Sequence, residues 1–251
     1  MHRILFTGDD FGLTDGVCAG IIQARRYGVL SRTSAMVCAP DSLERLRVWA
    51  PQFPGRIGLH LQLTSGRPCL DPARVPTLVN ADGEFPTGHM ITWPFDPEEV
   101  ALEWRAQIVA LRSAGVELNH LDTHHHVHCQ HSSLLKVYLE LARESNVPAR
   151  TIPSLHKSLR WAGVQSADHC ETGFYSDDPS VGSLSSAIIH GKTLTRTGGL
   201  IEVVCHPGYV TADLATADTY VSQRGKELEI LTDPDLLKRL AKLSIEVVEQ
   251  E

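Results

Sequence analysis

Several features common in chains of this size are missing from these 251 residues. No apolar run approaches the roughly twenty residues of a membrane-spanning helix, so no membrane partner is expected. Basic charge is not in excess: 23 Lys and Arg stand against 30 Asp and Glu, a formal net charge of −7. That argues against a nucleic-acid partner, which needs a basic face to meet phosphates. The six cysteines form no C-x-x-C pair and read as reduced thiols rather than a disulfide framework. The opening Met1-His2-Arg3-Ile4-Leu5-Phe6 enters a strand-like run without the charged region, apolar core and cleavage site of a secretion signal. A cytoplasmic location is therefore expected. With no internal repeat or low-complexity linker, residues 1–251 are expected to form a single domain.

What is present is an alternation. Hydrophobic residues make up 42% and charged residues 21%, as in an ordinary soluble globular protein. Strand patterns at 3–8, 33–37, 56–63, 117–122, 149–152, 200–204 and 245–248 alternate with helical spacing at 13–27, 42–50, 97–113, 134–144, 184–194 and 235–243. A short strand is expected near 172–175. Asp96 and Pro97 suit the N-cap and first position of their helix, and Gly28 suits a helix stop. Such alternation implies βαβ units and a parallel sheet. No Gly-rich dinucleotide turn follows the first strand, so the expected fold class is α/β, a (β/α) barrel of seven or eight mostly parallel strands. Residues 64–95 break the alternation with a Pro-, Gly-, Asp- and Thr-rich loop. A loop that long is usually functional, here as a lid or one wall of a cleft.

Unusual polar residues fall at the ends of separate strands. Asp9-Asp10 end the first, His60 sits near the end of the third, His124 follows the fourth and His206 follows 200–205. In parallel barrels that face carries the active site. Asn119-His120-Leu121-Asp122-Thr123-His124-His125-His126-Val127-His128 holds five of the chain's 13 histidines, and imidazole is both a metal ligand and a proton shuttle. Each piece has an ordinary alternative. One aspartate could cap the following helix, and a lone His60 could be a paired core residue. His206-Pro207-Gly208 could simply be a turn, and the histidine tract a solvated loop. Together they make a different pattern: one carboxylate and two histidines can hold a divalent ion with open positions. A second carboxylate and a further histidine would then serve as base and acid. That layout suits hydrolysis of an amide or ester.

Gly8-Asp9-Asp10-Phe11-Gly12, Gly58-Leu59-His60-Leu61, the histidine tract and Glu202-Val203-Val204-Cys205-His206-Pro207-Gly208 resemble, in order, motifs of the YdjC-like carbohydrate deacetylases. Arg224-Gly225-Lys226-Glu227-Leu228 resembles a late element of the same family. The resemblance implies a deformed barrel, one divalent metal (magnesium by family habit) and removal of N-acetyl groups from sugars. By position it makes Asp10, His60 and His124 the metal ligands, Asp9 the general base and His206 the acid or transition-state stabiliser. Arg150 orients Asp9 or binds substrate. The resemblance also admits a homodimer. Thr7-Gly8 stands where the family often has Asn-Ala. Two imidazoles suit zinc or cobalt better than magnesium, which prefers oxygen.

The expected function is thus a metal-dependent N-deacetylase of an acetylated amino sugar or short oligosaccharide. Alternatives are a metal-dependent phosphoesterase, which shares His/Asp metal chemistry, and a non-catalytic sugar- or metal-binding relative. Trp93 and Trp161 are candidates for stacking on sugar rings, although core packing is the commoner role of such residues.

Overall fold

The structure is a computed structural model that describes residues 1–152 and 155–249. In chain order its elements are β1 (His2–Phe11), α1 (Asp15–Tyr27), β2 (Arg32–Ala35), α2 (Ser42–Trp49), β3 (Ile57–Leu61) and α3 (Pro97–Ser113). Then come β4 (Leu121–Thr123), α4 (Ser132–Ser145), α5 (His156–Trp161), β5 (His169–Glu171) and α6 (Val181–Leu194). The chain closes with β6 (Leu200–Cys205), α7 (Leu214–Ala217), α8 (Ser222–Leu231), α9 (Leu236–Lys242) and β7 (Ile245–Val247).

All strand pairs are parallel, in the order β4-β3-β2-β1-β6-β5, with β7 also paired to β1. Two strands share one edge of β1. Val248 N–H donates to Ile4 O and Ser31 N–H to Phe6 O, so β7 takes the foot of β1 and β2 its upper part. The sheet curls with helices against it into the expected deformed (β/α) barrel. Among the described residues no ladder joins β4 to β5.

Strand register sorts the two faces, because residues two apart share a face. Ile4, Phe6, Leu59, Leu121, Ile201 and Val203 fall on one face, and all are fully buried. Thr7, Asp9, Arg32, Ser34, His60, Asp122 and Glu202 fall on the other, which is equally buried but ionic. There Arg32 Nη2 meets Glu202 Oε2 at 3.1 Å, and Glu202 Oε1 accepts Arg150 Nε at 2.9 Å. Arg32 Nε donates to Thr7 Oγ1 at 2.9 Å, so the Thr7 departure from the family pattern ties into this network.

Several boundaries differ from the sequence pattern for identifiable reasons. β1 runs three residues past Gly8, because β2 still pairs it at Phe11↔Ala35 after a register shift. Neither Asp9 nor Asp10 caps α1; Thr14 does, its hydroxyl accepting Val17 N–H at 3.2 Å. Gly28 ends α1 by close approach, since a Cβ there would lie 2.2 Å from Leu231 O. The expected strand at 149–152 shrinks to one bridge, Leu121↔Ala149, with Arg150 N–H donating to Leu121 O. Residues 172–175 form a turn, closed by Tyr175 N–H on Thr172 O, and the strand lies just before them. Apolar spacing does not mark α8, because Arg224 and Glu227 are among its buried positions. Asp96 caps α3 with Pro97 in its first turn, as the sequence indicates.

Candidate active site

A parallel sheet points all its carboxyl ends one way, and a cleft of about 420 Å³ opens there. Asp9, Asp10, His60, His124 and His206 all line it. Adjacent strand residues normally face opposite ways, so two neighbouring carboxylates in one cleft need a backbone device. It is the irregularity at the end of β1, where Asp10 adopts φ 69° beside the register shift.

Asp10 Oδ1, His60 Nε2 and His124 Nδ1 form a near-equilateral triangle. Its sides are 3.4 Å (Asp10–His60), 3.5 Å (Asp10–His124) and 3.3 Å (His60–His124). Its centre lies about 2.0 Å from each corner, the length of a zinc–imidazole bond. Asp10 Oδ1 is buried and has no hydrogen-bond partner among the described residues. A buried, unpaired carboxylate oxygen facing two imidazole nitrogens is the donor set a divalent cation satisfies. The residues present therefore fit a metal.

Second partners orient two of the three corners, Asp10 and His60. Asp10 Oδ2 accepts Arg224 Nη2 at 2.5 Å, and Arg224 also reaches Asp218 and Tyr220 O. His60 Nδ1 bonds Asp122 Oδ1 at 2.6 Å, turning Nε2 toward the triangle, as outer-shell carboxylates do for metal-bound histidines. Burial opposes charge on His60, but Asp122, Asp9 and Asp10 outweigh it and raise its pKa to about 9. Without a cation this position attracts a proton. It is a place that draws positive charge.

Asp9 sits beside the triangle, its Oδ2 3.9 Å from His60 Nε2 and 3.9 Å from His206 Nε2. Burial opposes its ionisation, yet the Arg150 fork holds the carboxyl well below the usual carboxylate range. Arg150 is fully buried and also meets Asp122 Oδ2 at 2.8 Å, so it positions Asp9 and lies beneath the cleft rather than on its wall. His206 is held by its own backbone N–H, which donates to Glu227 Oε2 at 2.6 Å. Burial lowers its imidazole to about 4, leaving it neutral near pH 7.

The histidine tract divides its labour. His124, His125 and His126 line the cleft, the last two at φ 54° and 50°. His120 and His128 are fully buried packing residues, bonded to Asn119 Oδ1 and Thr123 Oγ1, with His128 stacked on Tyr138. The 64–95 loop delivers His89 to the wall, its ring 4.2 Å from that of His125. Of the tryptophans, Trp93 packs partly buried against the core and Trp161 is 92% exposed; neither lines the cleft. The aromatic wall is Tyr175, which stacks on Tyr220 at 4.1 Å and meets His206 edge-on at 5.1 Å. Sequence patterns single out neither His89 nor Tyr175. Asp122 and Arg224 stand inside the quoted motifs without a role that spacing could assign.

A solved relative carries the same architecture. The model of the YdjC-like protein family matches residues 3–242. A carbohydrate deacetylase of Thermoanaerobacter pseudethanolicus is 32% identical over 95% of this chain and 94% of its own length. One of Vibrio vulnificus is 35% identical over 98% and 94%. A solved structure from Enterococcus faecalis V583, described as a candidate cellobiose-phosphate cleavage protein, superposes with a TM-score of 0.88 at 30% identity, covering 99% of this chain and 97% of that one. With the family model spanning nearly the whole chain and these relatives matching it end to end, the protein belongs to the YdjC-like family.

Proposed function

We propose that the protein removes N-acetyl groups from an acetylated amino sugar or short oligosaccharide, with one divalent cation held by Asp10, His60 and His124. The observation that carries this is the triangle of ligand atoms with an ionised carboxylate, Asp9, and a neutral imidazole, His206, beside it. The names of the relatives, carbohydrate deacetylases, support the choice of substrate. The donor set favours zinc or cobalt over the magnesium implied by family habit. When bound, such a cation supplies polarisation of an amide carbonyl and acidification of water.

The chain's own residues do the rest. Asp9, kept anionic by Arg150, accepts a proton on Oδ2, the oxygen nearest the triangle. His206 rests neutral and can protonate a departing nitrogen only after gaining a proton, for which Asp9 Oδ2 at 3.9 Å is a near source. Tyr175, partly exposed, offers a flat apolar face to a pyranose ring. His89 and its loop stand by His125, where they would limit the length of the sugar chain. Residues 1–251 act in this reading as one catalytic domain.

The test is product identity. Cation-loaded protein incubated with N-acetylated chitooligosaccharides should release acetate, and both chelation and Asp9→Asn should abolish release. Phosphate from an aryl phosphate with no acetate would support the phosphoesterase alternative instead. No product from either would support a binding role.

A further inference from the structure

A second group of metal-ligating side chains lies outside the cleft lining, where α6 packs on β5. His169 and Glu171 are two apart on β5 and so share one face. α6 comes unusually close to that face because position 191 is glycine. A Cβ there would meet the His169 ring at 3.3 Å and Ile201 at 3.1 Å. The approach brings the preceding residue, His190, to Glu171. His190 Nδ1 lies 2.8 Å and His169 Nε2 3.4 Å from the same oxygen, Glu171 Oε2. The other oxygen, Oε1, accepts Gly173 N–H at 2.9 Å.

We propose that His169, Glu171 and His190 form a second cation site, selective for zinc-class divalent metals and separate from the cleft. Two imidazoles and one carboxylate converge from two elements, with all three ligand atoms within 4.8 Å of one another. Such a set prefers zinc, cobalt or nickel to magnesium or calcium. The His169 and Glu171 side chains are buried, at 4% and 8% exposure, whereas that of His190 is 62% exposed. That asymmetry gives a fixed floor, an entry path and open positions for water. The site also touches the cleft indirectly. The Gly173 amide that Glu171 holds belongs to the turn whose Thr172 and Tyr175 line the cleft, so a bound cation steadies that wall.

The experiment is calorimetric titration of the metal-stripped full-length chain with zinc, in the wild-type and His124→Ala backgrounds. His190→Ala is the main variant, because an exposed side chain can be removed without disturbing the core. It should lower the stoichiometry by one equivalent in both backgrounds, so zinc taken up by the cleft or the histidine tract does not affect the difference. His169→Ala should do the same. Unchanged stoichiometry on His190→Ala overturns the proposal, and leaves the cleft triad and its chemistry untouched.

Discussion

Arg150 grips Asp9 through two parallel hydrogen bonds, Nη1 to Oδ2 and Nη2 to Oδ1, each 2.7 Å long. The same guanidinium meets Asp122 at 2.8 Å and Glu202 at 2.9 Å, so one buried cation answers three buried carboxylates. Replacing it with an apolar side chain strips Asp9 and Asp122 of their buried guanidinium, while Glu202 keeps only Arg32 at 3.1 Å. Arg150→Met is expected to destabilise the fold by about 3–5 kcal/mol, the usual cost of breaking a buried ion pair from one side. Urea denaturation at pH 7 checks this. A loss under about 1 kcal/mol would show that the network does not hold the sheet's ionic face together.

Asp122 touches His60 on the side away from the triangle, at 2.6 Å from Nδ1. It fixes which imidazole nitrogen faces the triangle. Asp122→Asn is expected to weaken metal affinity by roughly 10- to 100-fold, as loss of such an orienting carboxylate typically does. Competition with a chromophoric chelator measures it. Affinity equal to wild type would remove Asp122 from the site.

Asp122 and Arg224 mark the limit of what the chain made legible. Local placement was readable: Asp96 and Pro97 open α3, and Asp9, Asp10, His60, His124 and His206 do reach one cleft. Strand ends are local features, and a parallel sheet delivers them to one side. Partners across the fold were not readable. That Asp122 backs His60 depends on the register His60↔Asp122 between β3 and β4. That Arg224 holds Asp10 depends on α8, whose burial of Arg224 and Glu227 defeats apolar periodicity. Two of the five histidines in the tract pack into the interior, which their crowding in sequence conceals.

Glu227 carries a pH signature. Burial, only partly offset by hydrogen bonds from Tyr220 O–H and His206 N–H, pushes its carboxyl from 4.5 up to about 7. The folded value is raised, so its contribution to stability is complete below about pH 4.5 and is lost as pH rises through about 7. The full loss is on the order of 3 kcal/mol. Wild type should therefore lose stability relative to Glu227→Gln between pH 5 and pH 8, read from denaturation midpoints of both proteins. Parallel pH curves would contradict the assignment.

In the proposed reaction Asp10, His60 and His124 share one cation. Crystals grown with zinc or cobalt and measured at the metal's absorption edge test it most directly. An anomalous peak is expected between Asp10 Oδ1, His60 Nε2 and His124 Nδ1, about 2.0–2.2 Å from each. Anomalous peaks elsewhere on the protein with none between these three atoms would contradict it.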